Sequence, residues 1–147
     1  MSGYRLEELA HIKDPIEYNL KLVDMHLHEE NPEQIDECLR LYTDDVVWEA
    51  PTRGVAYHGK EDIKKNYLAL FQAAEGITFE PLERFATIDR VVDDMWVRFR
   101  IADASGFENC PYPVGTKVKM RLVHIFHVRD GLISREMGYE GWSIDED

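Results

Sequence analysis

From Lys117 to Arg129 the chain alternates between two sets of side chains, and this alternation constrains the fold most. Met120, Leu122, His124, Phe126 and Val128 fall on one face of an extended strand. Arg121, Val123, Ile125 and His127 fall on the other. Asp130-Gly131 then makes a tight turn into a second strand, Leu132–Tyr139. Both faces of the first strand are rich in apolar residues, so both need cover. Helices can cover one face. A second copy of the same sheet, in a homodimer, is the simplest cover for the other.

The helices come first in the chain. Asp14-Pro15 opens a helix by capping and by a proline at the first helical position. Ile16, Leu20, Val23 and Leu27 follow helical spacing, and Asn31-Pro32 break it. Asn31 caps a second helix, with Ile35, Cys38, Leu39 and Tyr42 as its inner stripe. Val46–Ala50 reads as a strand ended by Pro51. A third helix runs from about Lys60 to Ala74, closed by Gly76 as a left-handed cap. Strands Ile77–Thr87 and Met95–Ala102 follow, turning near Asp93-Asp94. The order predicts an α+β fold, with three helices in the N-terminal half packed on a mostly antiparallel sheet. A chain of 147 residues supports one domain, its core at about 15–142.

Composition excludes several classes of function. Lys and Arg number 17 against 29 Asp and Glu, a net charge of −12, and no basic cluster suits nucleic acid or an anionic membrane surface. No apolar run approaches the roughly 20 residues of a membrane span, and Met1–Glu8 has no apolar signal core. Two cysteines, Cys38 and Cys110, form neither a disulfide framework nor a metal pair, so a cytoplasmic setting is expected.

His124 is the polar exception on an apolar strand face. An imidazole in an apolar pocket is a ready acid–base group, and a core histidine satisfied by a backbone carbonyl is the alternative. Tyr18, Trp48, Tyr67, Phe71, Phe126 and Met137 are the expected pocket lining. No metal or other cofactor is expected. His26 and His28 are two apart on a helix and read as its solvated end, while His124 and His127 point to opposite strand faces. Glu49 alternates with Trp48 and should face away from the pocket. Arg98 and Arg100 share a strand face with Trp96 and read best as solvated or dimer-interface ion pairs, with binding of a substrate carboxylate as the alternative.

Three segments, taken in order, carry a family resemblance: Tyr42-Thr43-Asp44-Asp45-Val46-Val47-Trp48-Glu49-Ala50-Pro51, Tyr57-His58-Gly59-Lys60-Glu61-Asp62-Ile63, and Phe126-His127-Val128-Arg129-Asp130-Gly131-Leu132-Ile133. Together they resemble the SnoaL-like branch of the nuclear-transport-factor-2-like superfamily. The resemblance implies a cone: a strongly curved sheet around a long helix, with an internal pocket and, in many members, a homodimer. It places His124 where SnoaL-like cyclases carry an acid–base Asp and ketosteroid isomerases a protonated Asp. The isomerase base falls on Ala50, and a late-strand carboxylate of related enzymes falls on Gly138, with Glu136 and Glu140 close by on the same face.

The expected activity is acid–base chemistry of isomerase, cyclase or dehydratase type, without a cofactor, on a small apolar or aromatic, carbonyl-bearing or cyclic molecule. A non-catalytic small-molecule binding protein is the first alternative, supported by Ala50 and Gly138. A protein-interaction scaffold is the second.

Overall fold

The computed structural model describes residues 7–147; the first six residues of the stretch read for a signal core lie outside it. Helix α1 (Pro15–His28) starts as the sequence predicts, with the Asp14 carboxylate accepting from the Ile16 amide. The Asn31 side chain accepts from the amides of Glu33 and Gln34 and turns the chain into the short α2 (Ile35–Leu39). Helix α3 spans Lys60–Ala73. Among the described residues, no helix is long and apolar enough to cross a membrane.

The strands are β1 (Tyr42–Ala50), β2 (Val55–His58), β3 (Ala74–Ala86), β4 (Arg90–Ile101), β5 (Lys117–Arg129) and β6 (Leu132–Ile144). They form one sheet in the order β2-β1-β6-β5-β4-β3. Among the described residues, only the β1–β6 pairing is parallel. Register shifts in β1, β3 and β6 mark bulges, which bend strands and deepen twist. The sheet curls around α1 and α3.

Several boundaries differ from the sequence reading. Asp93 and Asp94 lie inside β4, paired with His124 and Val123 of β5; the turn falls at residues 87–89. The Thr87 amide donates to the Arg90 carbonyl there, and Thr87 Oγ1 meets Asp89. Gly76 does have positive φ, +64°, but it serves a bulge in β3 rather than a helix end. β1 begins at Tyr42, because Tyr42 and Val46 reach the same core. β6 continues to Ile144, keeping its pairing with β5.

Two apolar clusters fill the cone. One gathers Leu22, Val23, Tyr42, Val46, Ile63, Tyr67 and Phe126. The other gathers Met95, Val97, Phe99, Phe107, Val118 and Met120. The segment between β4 and β5 is tied to α3 at Gly106, where any Cβ would collide with Ala69 and Ala73.

Candidate active site

Alternation on β6 turns Glu136, Gly138, Glu140 and Trp142 toward the inside of the cone. Beside them lies a cavity of about 290 Å³. Trp48 of β1 with Tyr67 and Phe71 of α3 form one wall, Tyr67 stacked on Phe71 at 5.8 Å. Phe99, Phe107 and Trp142 form another, with Trp142 edge-on to both phenylalanines. Glu30, His124, Glu136 and Glu140 are the carboxyl and imidazole groups among its described lining residues.

The floor is built around Glu136, which is 1% exposed. Its Oε1 accepts from Tyr42 at 2.6 Å, His26 Nε2 at 2.9 Å and Tyr67 at 3.2 Å. Burial pushes the Glu136 carboxyl up, but the His26 charge and hydrogen bond, then His124 and Tyr42, outweigh it and hold it down at about 2. An ionised carboxylate only accepts, so His26 donates through Nε2. Burial, then the negative Glu136, drives Tyr42 and Tyr67 well above the usual phenol range, so both remain donors. The other oxygen, Oε2, lies 3.6 Å from His124 Nε2.

His124 stands between two carboxylates. Its Nδ1 is 3.7 Å from Asp93 Oδ2, and neither atom has a hydrogen-bond partner. These separations fall within ion-pair reach but beyond a good hydrogen bond. Asp93 is fixed from behind by Arg84 at 2.8 Å, and Arg84 reaches Asp24 at 3.1 Å. Burial opposes ionisation of Asp93, but His124 and Arg84 prevail and hold its carboxyl low. Gly138 pairs across the strands with His124, and a Cβ there would lie 3.9 Å from the imidazole. The missing side chain leaves the ring open to the cavity.

Glu30, just past α1, behaves in the opposite way. Burial first, then the charges of Glu136 and Asp93, raise its carboxyl well above the ordinary range, the reverse of Glu136. His26, Glu30 and Glu136 place one donor atom each within 4.8 Å of one another, a cation-sized spacing. Two of the three are already committed to the His26–Glu136 bond, which a metal ion would have to break.

The rim carries a different pair. Arg53 Nε donates to Glu140 at 2.7 Å, and Trp142 Nε1 donates to the same oxygen at 2.8 Å. Arg53 also donates to the Glu108 carbonyl at 2.7 Å, joining β6 to the segment that overhangs the mouth.

Of the residues expected from sequence, Trp48, Tyr67, Phe71 and His124 meet at the cavity. Tyr18 does not; its hydroxyl donates to the Gly131 carbonyl at 2.8 Å and anchors the β5–β6 turn. Phe126 is fully buried under the floor, with His124 and His26 against its ring. Met137 faces the outside of the sheet, opposite Ile125, because its neighbours Glu136 and Gly138 face inward. His26 is no solvated helix end: it is fully buried and braces Glu136. Glu49 points outward to Arg135, and Arg98 pairs with Glu80 and Asp145, as the sequence predicts. The reading missed Glu30, Asp93 and His26. The i, i+4 spacing of His26 and Glu30 was the available signal.

The comparisons agree with this architecture. The SnoaL-like domain profile matches residues 23–136, and the chain belongs to that family. No curated protein matches the sequence. Among solved structures, a hypothetical protein with a ketosteroid isomerase-like fold from Catenulispora acidiphila, in complex with trimethylamine, superposes with a TM-score of 0.64 at 14% identity. The match covers 80% of this chain and 83% of that one. The epoxide hydrolase/cyclase-like enzyme SalBIII of salinomycin pyran-ring formation gives 0.65 at 18% identity, covering 85% and 94%. An LEH-like epoxide hydrolase of M. tuberculosis gives 0.62 at 16%, covering 82% and 80%. At these identities the likeness establishes the cone fold.

Proposed function

We propose that this chain is an acid–base enzyme acting on a small, largely apolar, carbonyl-bearing or cyclic molecule, by isomerisation, cyclisation or dehydration. The observation that carries the reading is His124, 7% exposed, held between two ionised carboxylates and opening on an apolar cavity. His124 moves the proton. Glu136 and Asp93 balance the charge when the ring becomes imidazolium. Tyr42, Tyr67 and His26 fix Glu136 so that it need not reorganise during the reaction. The aromatic walls exclude water.

Deuterium exchange next to the carbonyl of bound cyclic ketones tests this, because it needs only the proton-abstraction half of the reaction. Wild type should accelerate exchange in D2O, followed by proton NMR, and His124→Ala should slow it about 100-fold or more while ketone affinity stays within about tenfold. Ketones that bind without exchanging, or equal rates in the variant, would contradict the enzyme reading and favour a binding protein.

The outer sheet face supports self-association. Val92, Ile125 and Met137 form a cross-strand apolar row, with Tyr139, 41% exposed, beside it. A homodimer through this face is the fitting cover, and sedimentation at micromolar concentration should return twice the chain mass rather than one.

A further inference from the structure

Resting on the cavity reading above, we propose that the molecule bound there is an organic cation, an amine or quaternary ammonium on an apolar frame, with Glu30 as its counter-ion. The argument is a balance of charge across the walls. Three carboxylates line the cavity, and no Lys or Arg is among the described residues that do. Glu136 is answered by His26, and Glu140 by Arg53. Glu30 makes no ion pair with a Lys or Arg among the described residues; the His26 ring within 4.8 Å of it is already bonded to Glu136, and its like-charged neighbours are Glu136 and Asp93. It is the one wall carboxyl whose charge the protein leaves unbalanced.

The rest of the cavity suits such a ligand. Alkylated ammonium groups give up water more readily than metal ions and are attracted to aromatic faces. Trp48, Tyr67 and Phe71 form a continuous aromatic wall beside this floor, with the Tyr67 hydroxyl on Glu136. The net charge of −12 also draws cations toward the mouth. Glu30 and His124 both flank Glu136, so a cation held at Glu30 lays its carbon frame across the imidazole. The competing occupant is a neutral carbonyl compound that accepts a hydrogen bond from the protonated Glu30.

Two probes of equal shape separate these occupants: benzyltrimethylammonium and its uncharged isostere neopentylbenzene, titrated calorimetrically into wild type and Glu30→Gln. The cation should bind wild type at least tenfold tighter than the isostere. Glu30→Gln should erase that preference and leave neopentylbenzene within about threefold. Equal or tighter binding of neopentylbenzene, or a cation preference that survives Glu30→Gln, overturns the proposal. Ketone exchange that persists alongside such a result leaves the acid–base reading standing. Failure of both probes to bind overturns the cavity reading with it.

Discussion

Glu136 and Glu140 sit four residues apart on one face of β6, both line the cavity, and both are almost wholly enclosed in ion pairs. Their partners differ in kind. Glu140 faces Arg53, a cation at every accessible pH, and the pair is tied to the Glu108 carbonyl across the mouth. It ties β6 to the segment over the mouth and serves as a clasp. Glu136 faces two imidazoles, which are acid–base groups, and accepts from two tyrosine hydroxyls that brace it. One strand therefore presents a fixed pair at the rim and an adjustable one at the floor, and chemistry belongs with the adjustable pair.

Stability should separate the two most strongly. His26→Ala leaves an unanswered carboxylate at the centre of the cone, and urea unfolding should show a loss of about 3–5 kcal/mol. Arg53→Met exposes Glu140 where water can reach it. The loss should be smaller, about 2–3 kcal/mol, with faster proteolysis in the Asp103–Thr116 segment. Equal losses at both sites would remove the distinction.

A smaller effect lies in the pH dependence of unfolding. Glu136 is held below its unfolded value, so its stabilisation is complete above about pH 4.5 and is lost as pH falls toward about 2. Glu30 is raised, so its contribution runs the other way: it is present in acid and lost as pH rises above about 4.5 through the folded value. Thermal melts should show greatest stability in weak acid. Glu30→Gln should flatten the decline toward neutral and alkaline pH and leave the acid limb unchanged. An unaltered alkaline limb would mean that Glu30 carries no extra proton in the fold.

The fold was legible because its signals are local and repeated. The Asp14-Pro15 start, the Asn31 turn, the Asp130-Gly131 hairpin and the two-residue period of β5 each leave a mark on neighbouring residues. The site was legible only in part. His124 stood out against an apolar face, and β6 parity pointed to Glu136 and Glu140 beside Gly138. That same parity argues against Met137, which the aromatic and apolar bias of the expected lining overrode. His26 left only its i, i+4 spacing to Glu30 and Asp93 left no signal, because burial of a polar residue depends on a partner far along the chain. His26 is inside because Glu136 lies 110 residues away, and Asp93 because β4 continues beneath His124 instead of turning there. Long-range pairing of this kind leaves no periodic trace.

The central claim is that the floor of the cavity, not its rim, moves protons. Deuterium exchange into a bound cyclic ketone, measured for Glu136→Gln and Glu140→Gln with each variant first shown to be folded, tests it most directly. The floor variant should lose about 100-fold or more in exchange rate, and the rim variant should stay within about threefold of wild type. Equal rates in the two variants, or a greater loss at Glu140, would contradict it.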